Sequence, residues 1–209
     1  AIVPYFEETI SFEAALAANP ADVQALFTLQ GRPQDADISY LNATSDTLSG
    51  NYAVNITALA TQAVFNGSAV NSLIIDANND NLNLSVDGIT SDSITLTQAT
   101  FASADALALH IQAQINDDKN LKAAGVSVAV SYDSLNNKLD ISSTRYGSAS
   151  RVIINSVDIN SANDLGLTVG AGTDGVDVSG TINGFNATGN GQFLTSASGD
   201  SQGLALLIS

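Results

Sequence analysis

Leu82-Asn83-Leu84-Ser85-Val86-Asp87-Gly88 alternates apolar and polar residues and then stops at a turn dipeptide. A period of two puts Leu82, Leu84 and Val86 on one face of a strand, and Gly88 accepts the positive φ of a tight hairpin. Ser93-Ile94-Thr95-Leu96 reads as the returning strand. From Ser103 the period lengthens: Ala104, Leu107, Ala108, Ile111 and Ile115 fall on one helical stripe. Ser103 is suited to cap this helix, and Asp105 complements its positive end. Beyond Gly125 the alternation resumes in Val126, Val128, Val130 and Tyr132. It turns through Asp133-Ser134-Leu135-Asn136-Asn137 and returns through Leu139 and Ile141. Hairpin, helix and hairpin predict a small α+β unit with the helix laid over the sheet.

On the N-terminal side, Tyr52, Val54 and Ile56 predict a strand with one apolar face. Ala63-Val64-Phe65 and Leu73-Ile74-Ile75 predict short strands on either side of a turn at Asn66-Gly67. On the C-terminal side, Val152-Ile153-Ile154 predicts a strand and residues 161–165 one helical turn capped by Ser161. Residues 170–175 are Gly-rich and aperiodic, as in a connection. The tail offers β candidates at Val176-Asp177-Val178, residues 181–185, Gln192-Phe193-Leu194 and residues 204–208. The turns Val86-Asp87-Gly88 and Ile182-Asn183-Gly184 echo each other. Each flank alone has too few strands to close a core, so the two are expected to pair. The fold class expected is thus β-rich α+β. A discontinuous antiparallel β domain (residues 46–78 plus 169–209) carries an inserted hairpin-helix-hairpin domain (residues 79–168). A short helical segment and linker, residues 1–45, precede them; residues 11–18 and 20–27 are its helical patterns, with Asn19 as cap and Pro20 at the first helical position.

Composition narrows function. The 209 residues hold 21 acidic and 6 basic side chains, a net charge of −15, which argues against nucleic acid and anionic membranes as partners. No apolar run approaches the roughly 18 residues of a membrane span. The absence of Cys removes disulfides and thiolate chemistry, and the absence of Met points to an internal fragment or processed chain. His110, the sole histidine, is expected to face water or the rim, without partners for a triad or a zinc site. Asp76, Asn78 and Asp80 place oxygen ligands at alternate positions, but Asn81 and Asp87 stand where an EF-hand needs Gly and Glu. A solvated turn is the primary reading there, with a looser calcium site as the alternative, and Asp174 and Asp177 are read in the same way. Residues 184–191 are Gly-rich but lack the Lys of a phosphate loop. Asn-x-Ser/Thr triplets begin at Asn42, Asn55, Asn66, Asn83 and Asn186. No cofactor and no catalytic residues are expected, and the chain reads as a non-enzyme.

Several segments carry a resemblance. Residues 11–27, with Ala14-Ala15-Leu16, Asn19-Pro20 and Ala25-Leu26-Phe27, resemble a stretch of the bacterial flagellar filament-capping proteins (hook-associated protein 2, FliD-like). Gly50-Asn51-Tyr52-Ala53-Val54-Asn55-Ile56-Thr57 is similar to a strand of the same family, and residues 84–116 resemble the hook IN motif of flagellins and hook-associated proteins. Residues 175–184 and 189–195 also look like capping-protein segments. The resemblance implies a structural, extracellular part of the bacterial flagellum, active in motility. Its partners would be flagellin and other cap subunits, within a full-length protein that carries coiled-coil ends. The present chain would be an outer portion, monomeric or weakly oligomeric by itself. The alternative reading is an adhesin-like module for a host glycan or mucin, with Tyr40, Tyr132, Tyr146, Phe185 and Phe193 as candidate aromatics.

Overall fold

A computed structural model describes residues 31–209. The helical patterns expected within residues 11–27, and the family resemblance carried there, lie outside the described residues. The elements run β1 (Ile38–Asn42), β2 (Val54–Ala58), β3 (Gln62–Ala69), β4 (Ile74–Ile75), β5 (Asn81–Val86), β6 (Ile89–Thr90), β7 (Ile94–Thr95) and β8 (Ala99–Thr100). Helices α1 (Ala104–Asn116) and α2 (Lys119–Ala123) follow, then β9 (Val128–Asp133), β10 (Lys138–Tyr146) and β11 (Val152–Val157). Helix α3 (Ser161–Asp164), β12 (Gly170–Ala171), β13 (Ser179–Ile182), β14 (Phe185–Asn190), β15 (Phe193–Ser196) and β16 (Ala205–Ile208) complete the chain. Among the described residues every strand pairing is antiparallel.

One hydrophobic core gathers β3 to β11 around α1. Leu107, Ala108, Ile111 and Ile115 of the helix are buried there with Leu82, Leu84 and Val86 of β5 and Leu139 and Ile141 of β10. Ser103 caps α1 as expected, its hydroxyl accepting from the Ala106 amide at 3.1 Å. β9 and β10 form the expected hairpin, and β3 adds on the other side of β10. The free edge of β9 is met by α1: the Val128 amide donates to Asn116 Oδ1 (2.8 Å) and the Val130 amide to Gln112 Oε1 (2.9 Å).

A second core lies under a six-stranded sheet ordered β1-β16-β15-β14-β13-β2. Val178, Ile182, Leu194, Leu204, Leu206 and Ile208 fill it. β2 pairs with β13 in the register Val54↔Ile182, so strands from both flanks share this sheet as expected. Asn183-Gly184 turns β13 into β14 with φ of 53° and 82°, nearly repeating the 51° and 85° of Asp87-Gly88.

Several local expectations are corrected. Asn66-Gly67 is not a turn but lies inside β3; a Cβ on Gly67 would stand 2.6 Å from the Leu139 carbonyl oxygen, so the glycine serves close strand approach. Consequently β3 pairs with β10, and Phe65, Val70 and Ile75 fill the first core, although residues 46–78 were expected to lie together with the tail. Residues 170–173 also belong beside the first core: β12 pairs with β11, and Thr173 bridges to Val64. The strand returning after Asp87-Gly88 is split into β6 and β7, because the Ser91 hydroxyl and amide bond the Leu84 backbone between them. β1 falls in a region expected to hold only a helical segment and linker. Ser161 is the first residue of α3 rather than its cap, and Val176-Asp177-Val178 is a connection rather than a strand.

Candidate binding surface

The two cores meet along a polar seam. The Thr61 amide donates to the Val176 carbonyl (2.9 Å) and the Gly147 amide to the Thr61 carbonyl (2.9 Å). Asp177 stands at its centre. Its Oδ1 accepts from the amides of Ser148 (3.0 Å) and Gly191 (2.6 Å), and its Oδ2 from the Ser148 hydroxyl (2.6 Å). Only glycines fit here: a Cβ on Gly147 would lie 2.3 Å from Asp177 Oδ1 and 2.6 Å from the Gly191 Cα. The Ser148 hydroxyl, then the Gly191 and Ser148 amides, hold the Asp177 carboxyl below the usual carboxylate range, because each stabilises the ionised form.

Close backbone approach leaves side chains standing on both sides of the seam. Thr144, Arg145 and Tyr146 from the end of β10 face residues 190–193 of the β14–β15 turn across a groove of about 340 Å³. Tyr146 is 38% exposed and Phe193 47%. Thr144 and Arg145 also border a neighbouring depression of about 390 Å³ that reaches Asp87, Ile89 and Val126. Among the described residues, the Arg145 guanidinium and the amides of Asn190 and Gln192 make no side-chain hydrogen bond or ion pair. Lys119, Lys138 and Arg151, by contrast, pair with Asp92 (2.7 Å), Asp140 (2.9 Å) and Asp174 (3.2 Å), and Lys122 with Asp117. From Phe193 the outward face of the large sheet continues through Leu207, Thr195, Asn190, Thr188, Thr181 and Asn55 without a charged residue.

The residues singled out in the sequence fare differently. Asp76 Oδ1 accepts from the Asn78 amide at 2.8 Å and ties its own loop, whereas Asp80 Oδ2 accepts from Gln98 Nε2 at 2.7 Å and ties the loop to the segment between β7 and β8. Asp80 is buried whereas Asn78 is exposed. Among the described residues no group of three or more His, Cys, Asp or Glu is placed to hold a metal. His110 sits half-buried at the rim, its ring centroid 4.9 Å from that of Phe101, but its Nε2 is shut off from solvent and, among the described residues, has no partner. The helical wheel missed this because Phe101 precedes the helix and folds back over it. Among the described residues no helix is long and apolar enough to cross a membrane. Tyr146 and Phe193 were legible as aromatics, but their placement on one groove required the pairing of distant strands.

No protein-family model and no curated protein match the chain. Solved structures do. The flagellar cap protein FliD D1-D2-D3 domains from Escherichia coli align with 100% of this chain at a TM-score of 0.55 and 18% identity. The chain has the fold of flagellar cap protein domains. It spans 59% of the length of that FliD structure. The FliD D2-D3 domains from E. coli align over 84% of this chain and 90% of their own (TM-score 0.49, 18% identity). FliD (HAP2) from Pseudomonas aeruginosa PAO1 aligns over 83% of this chain and 79% of its own (TM-score 0.46, 22% identity).

Proposed function

We propose that the chain is an outer portion of a flagellar filament cap, extracellular at the filament tip, where it supports flagellin assembly as a structural part and not as an enzyme. The end-to-end likeness to the E. coli FliD fold carries this reading. Residues 84–116 are the hook IN-like part, in a unit of residues 62–175 inserted into the six-stranded sheet. Flagellin and other cap subunits are the partners in the full-length protein, and no cofactor is needed. The test is a chimera in which residues 1–209 replace the corresponding domains of a full-length cap protein in a strain lacking its own. Restored filaments and swimming are expected; a chimera that folds and is exported but leaves flagellin unassembled overturns the reading.

A second reading, contact with a surface glycan, is favoured by one observation: exposed Tyr146 and Phe193 flank a groove between the two cores. Asp76, Asn78 and Asp80 stay the alternative calcium position; a fall in melting temperature on adding chelator supports it, and an unchanged melting curve removes it.

A further inference from the structure

We propose that the groove between Tyr146 and Phe193 binds a carboxylate-bearing saccharide, with Arg145 taking the carboxylate. This rests on the glycan-contact reading and assigns it a site and a ligand chemistry. Arg145 is the central observation. Its planar fork of five donors matches a carboxylate bidentately, and among the described residues it makes no side-chain hydrogen bond or ion pair, on a chain where acidic groups outnumber basic ones 21 to 6. The nearby carboxylates make their hydrogen bonds elsewhere, although the Arg145 charge still helps to keep Asp177 ionised. Asp177 takes Ser148 and Gly191, while Asp87 accepts from the Arg151 amide (2.9 Å) and the Ser143 hydroxyl (2.8 Å).

The remaining lining suits a sugar ring. Phe193 and Tyr146 supply exposed aromatic surface for the apolar face of a pyranose, and Asn190 and Gln192 each offer two amide donors and one acceptor to its hydroxyls. About 340 Å³ falls at the small end of ligand sites. The Asp177 bonds fix both walls before any ligand arrives, which lowers the ordering cost of binding.

The experiment titrates the purified chain, followed by NMR, with sialyllactose, with lactose as the neutral match and with an oligoglutamate peptide as the acidic competitor class. Sialyllactose is expected to shift the Arg145 Nε–H and Phe193 ring signals and to bind more tightly than lactose or the peptide. Arg145→Ala and Phe193→Ala are each expected to weaken it about tenfold, with Arg145→Lys recovering part of the loss and Thr57→Ala leaving it unchanged. Equal affinity for lactose, tighter binding of the peptide, or no response to sialyllactose overturns the proposal. Sialyllactose binding untouched by the Arg145 and Phe193 changes overturns the site while leaving glycan contact standing. The cap reading is decided separately by the chimera.

Discussion

The two cores solve the same problem with different materials. Among the described residues the first buries twenty-two hydrophobic side chains, four of them from one face of α1. The second buries six of the described residues beneath a sheet, and polar loop contacts supplement them. The Ser196 and Ser201 hydroxyls meet at 2.8 Å, Thr47 Oγ1 donates to the Gln202 carbonyl at 2.6 Å, and the Tyr52 hydroxyl lies 2.8 Å from the Asp200 carbonyl. A buried Leu or Ile contributes about 1.5–3 kcal/mol and a net hydrogen bond about 1 kcal/mol. A helix laid on a sheet therefore makes a more stable unit than a sheet closed by loops, even where strand alternation looks alike.

Four changes break or sharpen this contrast. Leu107→Asp places an unpaired charge in the first core and is expected to lower stability by about 4 kcal/mol or more in urea unfolding. Leu194→Ala, in the smaller core, is expected to cost about 2–4 kcal/mol, and amide exchange should quicken in β13–β16 while β5 and β10 stay protected. Equal quickening in both sets would mean that the cores unfold as one. Asp177→Ala strikes the seam and is expected to cost about 1–3 kcal/mol, with faster exchange confined to the Ser148 and Gly191 amides and their neighbours. Because the folded-state pKa of Asp177 is depressed, its contribution is fully present above the unfolded value near 4 and is lost as pH falls through the lower folded value. The acid limb of stability should therefore be shallower in the alanine variant, and an unchanged limb would show that the carboxylate is not what holds the seam. His110→Ala is expected to cost about 1 kcal/mol or less, since it removes contact with Phe101 but also an unpartnered buried nitrogen. A loss matching Leu107→Asp would place the helix's working face elsewhere.

Much of the first unit was legible because each signal is local. Period two in β5, the Ser103 cap, period 3.6 in α1 and the β9–β10 hairpin are all written within a few residues of where they act. The pairing of β2 with the tail was legible only by counting strands that had no other partners. What stayed hidden depends on distant backbone. Gly67 looks like half of a turn until β10 lies against it, and Asp177 looks like a solvated acid until Gly147 and Gly191 close on it. Helix α2 was missed because its cap, Asp118, and its five residues carry no periodic stripe. The groove belongs to this hidden class: its two walls are more than forty residues apart in sequence.

The bond from the Thr61 amide to the Val176 carbonyl has a consequence beyond holding the seam. The chain leaves the six-stranded sheet and re-enters it at points one hydrogen bond apart, so everything between is a detour that begins and ends at the same doorway. A few residues would bridge that gap without displacing a strand of the sheet. The excursion is thus free to be lengthened, shortened or exchanged, with the sheet serving as a fixed socket for interchangeable cargo.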